Sequence, residues 1–239
     1  MTKLDLTQID VDGALQETAA AVADGHTRAG FLRKAGMAGG ALAGAGAVLG
    51  ALAPGASADG WSGQNGRPPA AYGPGDIGIL NFALALEYLE AAFYNRATTH
   101  MQITDPATKA FLQTTTRDEN AHVAALQQAL GSNAIAQPQF RFDHIPANQS
   151  AFQQTAYVLE NTGVHAYLGQ LTNICSSAYL AAAGSIALVE GRHAAVIGSI
   201  INDSPSGIAP NGPFDTPQTA EQVIGEVNAT HFVVGGLPS

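Results

Sequence analysis

Two Glu-x-x-His pairs, each inside a long apolar segment, constrain this chain more than any other feature of its sequence. Glu119 and His122 form the first pair, in "RDENAH", and Glu190 and His193 form the second, in "VEGRH". Residues at positions i and i+3 share one face of a helix, so the two side chains of a pair can reach the same point. A buried carboxylate without a partner is costly or takes up a proton. The fold must therefore bring partners to both pairs.

The segments that carry these pairs belong to a chain that is predicted to be all-α. Asp105 is a predicted N-cap, Pro106 takes the first helical position, and Gly131 follows the end of that helix. Helices of about 25 residues are roughly 37 Å long, which is typical of a bundle. The four predicted helices span 76–100, 104–131, 148–173 and 176–203, and one short helix follows Thr216 and Pro217.

The spacing of four glutamates indicates an internally duplicated helical hairpin. Glu87 precedes Glu119 by 32 residues, and Glu160 precedes Glu190 by 30 residues. Residues equidistant from the turn of an antiparallel hairpin lie at one level, and both midpoints fall in predicted turns. The 131–147 loop, about 56 Å long if fully extended, can cross the bundle. The spacing thus predicts that the acidic centres of the two hairpins meet.

Four carboxylates and two histidines in one core predict a dinuclear metal site. Two divalent ions neutralise four negative charges, and each histidine adds a neutral nitrogen. Carboxylate-rich ligation with one imidazole per ion favours iron or manganese, and helical bundles with two Glu-x-x-His motifs hold such centres. The predicted ligands are Glu87, Glu119, His122, Glu160, Glu190 and His193.

The stretches "LEYLEAAFY", "RDENAHVAAL", "LENTGVHAYLG" and "VEGRHAA" carry a resemblance to a known family. Over residues 76–202 the chain resembles the ferritin-like superfamily, and more narrowly the exported bacterial ferritin-like domain family that includes desiccation-related proteins. The resemblance implies a ferritin-like four-helix bundle with a di-iron or di-manganese site made by the six predicted ligands. It implies no particular substrate.

Four further residues are candidates for supporting positions around the ligands. Glu90 competes with Glu87 as the ligand from the first helix. We favour Glu87 for its midpoint and for its seven-residue spacing to Tyr94, which resembles other ferritin-like helices. The candidates for supporting positions are Glu90, Tyr94, Tyr157 and His165.

Two neighbours of the Glu-x-x-His pairs raise separate expectations. Asp118 adjoins Glu119 and points away from it, where it could orient a histidine from another helix. Gly191 lowers helix propensity by about 1 kcal/mol relative to alanine. Its position indicates close packing or room for a ligand beside Glu190.

Composition limits the partners of the chain. The net charge is −9 and the body has no basic cluster, which excludes a nucleic-acid surface. Cys175 is the single cysteine, so neither an intrachain disulfide nor a cysteine-based zinc cluster can form. Metal ions, with dioxygen or a peroxide, are the predicted partners, and a homo-oligomer is compatible with them.

The first 58 residues are predicted to be an export signal or N-terminal tail. A polar region precedes a mildly apolar Ala/Gly run that ends in a small-x-small cleavage pattern at Ala56-Ser57-Ala58. The stretch "TRAGFLRK" resembles a twin-arginine motif, with Ala29 in place of the second arginine. We expect a periplasmic or extracellular protein, anchored to the membrane only if the segment stays uncleaved. Residues 59–75 form a linker arm, 76–202 the bundle and 203–239 a loop-rich tail.

The leading functional hypothesis is an exported oxidoreductase that detoxifies peroxide or iron under stress, with dioxygen or a peroxide bound between the metals. The alternative is a stress-related structural or interaction protein whose metal is structural or inactive. A storage cage ranks below both, because a closed shell would have to accommodate the arm and the tail. The pattern leaves open whether the protein is an enzyme and whether it takes iron or manganese.

Overall fold

The computed structural model describes residues 66–201, 208–209 and 212–239. In these residues the fold is all-helical, with two short 3-10 turns and isolated β-bridges but no strand, which confirms the predicted class. The predicted export signal, residues 1–58, lies outside the described residues. The helices are α1 (Gly75–His100), α2 (Pro106–Leu130), α3 (Gln149–Leu171), α4 (Ser177–Ile200) and α5 (Ala220–Ala229).

The helix ends follow the capping residues in the sequence. Pro106 is the first residue of α2, and the Asp105 side chain accepts hydrogen bonds from the backbone N–H and the hydroxyl three positions on, at 2.7 and 2.8 Å. Gly131 ends α2 with φ of 54°, a conformation that glycine adopts without strain. Asn148 and Ser176 cap α3 and α4 in the same way, each accepting from the backbone N–H three residues later.

The crossover between α2 and α3 runs from one end of the bundle to the other. At its start, the Asn81 side chain near the beginning of α1 donates to the Asn133 carbonyl at 2.9 Å. At its end, the Gln102 backbone in the α1–α2 turn donates to the Ala147 carbonyl at 3.2 Å. The predicted long crossover between the second and third helices is confirmed.

The turn of the second hairpin lies at the opposite end from the turn of the first. The Asp76 carboxylate at the start of α1 accepts from the backbone N–H groups of Cys175 and Ser176, at 2.9 and 2.7 Å. The two hairpins therefore pack head to tail. Residues halfway along each hairpin are brought to one level, which is where the Glu-x-x-His pairs lie.

The C-terminal segment packs directly onto α3. A Cβ on Gly169 would lie 1.8 Å from the carbonyl oxygen of Gln218, so only glycine permits this approach. Val223, Ile224 and Val227 of α5 are buried in the main hydrophobic core. This segment therefore covers the outer side of α3.

Among the described helices, two are long and apolar enough to span a membrane by length and composition alone. In α1 the most apolar window is 89% buried inside the bundle, as expected of a core helix. In α4 only 33% of that window is buried, so part of its apolar surface faces outward. Leu188 and Val196 on this helix are 66% and 48% exposed.

Candidate metal centre

Four glutamates, one from each long helix, meet at the middle of the bundle. Each of the four is fully buried, with no exposed side-chain surface. The head-to-tail packing of the hairpins brings them to one level, as the midpoint argument predicts. We call this set the glutamate ring: Glu87 on α1, Glu119 on α2, Glu160 on α3 and Glu190 on α4.

The ring and the two histidines form two overlapping groups of potential metal ligands. Within each group, one atom from every residue lies within 4.8 Å of all the others. Glu119 and Glu190 belong to both groups, so two ions held there would be adjacent and share these two carboxylates. The first group is Glu87, Glu119, His122 and Glu190, and the second is Glu119, Glu160, Glu190 and His193.

Both histidines direct their Nδ1 atom toward the carboxylates of the glutamate ring. The Nδ1 atom of His122 lies 3.2 Å from Glu87, 3.0 Å from Glu119 and 3.1 Å from Glu190. The Nδ1 atom of His193 lies 3.0 Å from Glu119 and 3.3 Å from Glu160. A single ring N–H cannot serve three acceptors well. The atoms instead surround a common point, as metal ligands do.

Several polar atoms of this cluster are buried without a hydrogen-bond partner among the described residues. They include Oε1 of Glu119, Oε2 of Glu160, both carboxylate oxygens of Glu190 and Nδ1 of His193, which lies 3.0 and 3.3 Å from the first two oxygens without the alignment of a hydrogen bond. Buried polar atoms without partners are rare in folded proteins because their desolvation is not repaid. A divalent cation would satisfy all of them at once, so the residues present fit a metal ion.

Three carboxyls of the ring bind protons more tightly than exposed glutamates do when no cation is present. Burial, the largest cause, and repulsion between neighbouring carboxylates raise the pKa of Glu119, Glu160 and Glu190. Burial works to lower the pKa of His193, but the nearby Glu119 and Glu160 outweigh it and raise the pKa to about 11. Metal ligands must lose these protons, so a cation that enters the ring displaces them.

Comparison with known proteins agrees with this geometry. The model of the ferritin-like domain family matches residues 75–203, more than half of the 239-residue chain. The chain belongs to the ferritin-like domain family. A comparison with curated proteins finds no matching relative. The buried Glu/His cluster of this ferritin-like domain is compatible with a metal site.

Two tyrosines of the ferritin-like domain donate to the ring from opposite sides. The Tyr94 hydroxyl on α1 donates to Glu160 on α3, and the Tyr167 hydroxyl on α3 donates to Glu87 on α1, the latter at 2.5 Å. Burial raises the pKa of both tyrosines well above the usual value, so both hydroxyls keep their protons. Each tyrosine can therefore hold one outer carboxylate in a fixed orientation.

Tyr167 is absent from the candidates that sequence reasoning selects, although the signal for it is present. It follows Glu160 by seven residues, the same spacing by which Tyr94 follows Glu87. Applying the duplication to the supporting residues, as well as to the ligands, would have found it. The two contacts are exchanged between the halves, so each tyrosine serves the glutamate of the other hairpin.

Asp118 contacts the outer nitrogen of His193. Its Oδ2 atom lies 3.3 Å from Nε2 of His193, and its Oδ1 atom accepts from Arg117 at 2.9 Å. Burial works to raise the pKa of Asp118, but the bonds from Arg117 and His193 outweigh it and hold the pKa below its usual value. An ionised Asp118 favours the His193 tautomer with a proton on Nε2, which leaves Nδ1 free to bind a cation. The corresponding residue beside Glu190 is Val189, so the duplication does not extend to this contact.

On α1, the residue that belongs to a group of potential metal ligands is Glu87. Glu87 belongs to the first ligand group, whereas Glu90 belongs to neither group. Glu90 is nevertheless only 3% exposed, and burial, followed by repulsion from Glu190, raises its pKa well above the usual value. It is a fifth buried carboxyl beside the ring.

The glycine that packs closely beside Glu190 is Gly163 on α3, and the close packing expected as one alternative at Gly191 is absent. A Cβ on Gly163 would lie 3.2 Å from Oε2 of Glu190 and 3.4 Å from Oε1 of Glu90. A Cβ on Gly191 would have no neighbour within 4 Å. A residue that is next to a ligand in the sequence does not necessarily pack against the side chain of that ligand.

The two remaining candidates for supporting positions lie on α3. Tyr157 is partly buried and packs against the main hydrophobic core. His165 lies in neither ligand group, and its backbone carbonyl accepts from Gln218 at 3.1 Å, a bond that docks the C-terminal segment.

Proposed function

We propose that the ferritin-like domain binds two ions of iron or manganese at the glutamate ring. The two overlapping ligand groups are the observation that carries this proposal. Glu87 and His122 would hold one ion, Glu160 and His193 would hold the other, and Glu119 and Glu190 would bridge them. Four carboxylates then balance four positive charges, which relieves the repulsion inside the ring. Oxygen-rich ligands with one imidazole per ion favour iron or manganese over softer metals.

We propose further that the centre is redox-active and that the protein detoxifies a peroxide or iron(II). A bound pair of iron or manganese ions supplies one-electron redox chemistry that protein side chains lack. The chain's own residues bury the centre among four helices and exclude bulk water. Tyr94 and Tyr167 fix the two outer carboxylates, and Asp118 holds the proton on the outer nitrogen of His193. Glu90 lies beside the ring as a buried carboxyl that is not a ligand and can exchange a proton with it.

Metal uptake by the full chain tests the proposed centre. Iron(II) is added without oxygen, excess is removed, and bound iron is measured before and after exposure to air. We expect about two ions per chain, followed by absorption of an oxidised iron pair. Uptake below one ion per chain, or no oxidation in air, would contradict the proposal.

Matched glutamine variants separate the ring from the rest of the surface charge. Glu119→Gln and Glu190→Gln each remove one bridging carboxylate while keeping its shape, and each should lose paired binding. Glu221→Gln removes an exposed carboxylate on α5 and should bind like the unchanged chain. Because burial, and then repulsion from neighbouring carboxylates, raises the pKa of Glu119 and Glu190, the glutamine variants should fold at least as well without metal.

A second candidate function is a structural or interaction protein whose metals do not turn over. The exposed apolar side chains of α3 and α4 favour it, with Val158 at 54% and Leu188 at 66% exposure. In that case metal raises the melting temperature, but peroxide and iron(II) are consumed no faster than in buffer. Multiple turnovers by the metal-loaded chain would exclude this candidate.

We propose that the chain is exported. The support is the arrangement of residues 1–58, with its polar start, its mildly apolar run and its small-residue cleavage pattern. Fractionation of cells that express the full chain should place it outside the cytoplasm with a shortened N-terminus. Replacing Arg28 and Arg33 by lysine should retain it inside if the twin-arginine route is used. A full-length chain found only in the cytoplasm would contradict export.

A further inference from the structure

An apolar cleft lies in the layer of the bundle next to the glutamate ring. Its volume is about 50 Å³, and all four long helices line it. The lining residues lie close in sequence to the ring ligands. Examples are Leu86 beside Glu87 on α1, Leu126 one turn after His122 on α2, and Ile186 one turn before Glu190 on α4. The cleft therefore adjoins the ring along the bundle axis.

The cleft opens to solvent between α2 and α4. Ala125 and Ala129 of α2 and Ala182 of α4 line it and are exposed, so they form its mouth. Small side chains at these positions leave the gap between the two helices unfilled. Alanine also lines the interior, at Ala166 and Ala183. The opening thus results from side-chain size rather than from an irregular backbone.

Tyr167 links the cleft to the ring. This side chain lines the cleft, while its hydroxyl donates to Glu87 at 2.5 Å. Of the other lining residues, only Gln170 and Tyr179 carry polar side-chain atoms, and the surface that the cleft presents is almost wholly apolar. Only the Tyr167 side chain therefore separates a molecule in the cleft from Glu87, a predicted metal ligand, and no charged side chain lines the cleft.

The size and lining of the cleft determine which molecules it can hold. A water molecule needs about 10–15 Å³ of such space and two or more polar partners, so there is room for several heavy atoms but little to bind water. A closed apolar cavity of about 150 Å³ stays dry and takes up benzene, so this smaller cleft has room only for an apolar molecule of a few heavy atoms. A second hollow lies between α1 and α3, beside Glu90 and Gly163, and measures only about 10 Å³. That hollow is too small for more than a water-sized molecule and has a carboxyl in its wall.

We propose that the cleft binds a small uncharged apolar molecule and presents it to the glutamate ring at Tyr167. The shared chemistry has two sources: dissolved dioxygen, or the short alkyl end of an organic substrate. Use of the bound molecule in a reaction rests on the proposed redox centre, but binding in the cleft does not. The apolar reactant would then reach the glutamate ring through the cleft, separately from the hollow beside Glu90.

The test is carried out on the full chain after iron has been removed with a chelator, and uses methyl NMR. Ethane is the probe for the organic source, and dissolved dioxygen, whose paramagnetism speeds relaxation, is the probe for the other. The methyl groups of Ala183 and Ile186 report on the cleft. The methyl group of Ala156, which is fully buried in the main core and outside the cleft, is the internal reference.

The expected result is a saturable shift with ethane, or a relaxation enhancement by dioxygen at least several-fold larger at Ala183 and Ile186 than at Ala156. A response to ethane alone identifies the organic source, and a response to dioxygen, with or without one to ethane, identifies the gas. If neither probe distinguishes the cleft methyl groups from Ala156, the proposal is overturned. Such a result would leave the metal titration of the proposed centre unaffected, so the two failures are distinguishable.

Two variants close the cleft, and a neighbour provides the matched control. Ala125→Phe should block the mouth and reduce the response of the cleft methyl groups at least threefold, whereas Ala124→Phe, on the same exposed side of α2 but outside the cleft, should not. If Ala125→Phe does not fold, as judged by circular dichroism, Ala183→Leu fills the interior instead and is followed at Ile186. An unchanged response in a folded, closed variant would overturn the proposal.

Discussion

Replacing Tyr167 by phenylalanine tests whether the tyrosine hydroxyls position the ring carboxylates for metal. The change removes the hydroxyl oxygen and keeps the aromatic side chain that lines the cleft. Glu87 loses a donor at 2.5 Å in a site from which water is excluded. A hydrogen bond to a charged group contributes about 1.5–3 kcal/mol. Loss of a residue that orients a metal ligand lowers affinity by about 10–100-fold, or roughly 1.4–2.7 kcal/mol.

The two magnitudes agree, so the weakening should be about 10–100-fold and confined to the ion held by Glu87 and His122. Competitive titration of manganese(II) against a chelator resolves the two binding steps. Tyr88→Phe is the matched control, because that hydroxyl on α1 accepts from Gln127 at 2.8 Å and touches no ring carboxylate. The reasoning fails if Tyr167→Phe weakens neither step, or if Tyr88→Phe weakens binding equally.

Three further predictions concern the ring and its surroundings. The raised pKa values of Glu119, Glu160 and Glu190 mean that the folded, metal-free chain binds more protons than the unfolded chain. Its melting temperature should therefore fall as pH rises from 5 to 9. His193 acts in the same direction, since its contribution is full below about pH 6.5 and is lost as pH rises through about 11; a melting temperature that rises with pH would contradict this. Gly163→Ala should displace the Glu190 carboxylate, 3.2 Å from the new Cβ, and weaken metal binding measured by titration, whereas Gly191→Ala should leave binding unchanged and raise the melting temperature. Asp118→Asn should weaken binding of the ion held by His193 by about 10-fold or more, and an unchanged affinity would show that the 3.3 Å contact has no orienting effect.

Much of the fold could be predicted from the sequence because its determinants are local. Caps such as Asp105 and Gly131 set where helices begin and end, and the helical period sets which face is apolar. The position of the four glutamates at one height in the bundle could be predicted because, within each hairpin, both glutamates are equally far along the sequence from the turn. The short connection makes this possible, because only residues 101–105 join α1 to α2.

The details that sequence reasoning missed depend on contacts between elements that are distant along the chain. Tyr167 meets Glu87 across 80 residues, and Gly163 makes room for Glu190 on a different helix. The close approach of Gln218 to Gly169 depends on the path of the C-terminal segment, which no periodic pattern encodes. The apolar cleft is likewise a property of four helices together, because an alanine in one helix does not show whether its neighbours fill the space.

The measurement that tests the central claim most directly is electron paramagnetic resonance of the full chain loaded with manganese(II). The account predicts that two ions share Glu119 and Glu190, because both residues belong to both ligand groups. Their spins should then be coupled, and the signal of isolated manganese(II) should disappear as the second ion binds. Glu221→Gln should give the same coupled spectrum, whereas Glu119→Gln should not. A chain that binds two ions yet shows only the isolated signal would contradict a shared centre.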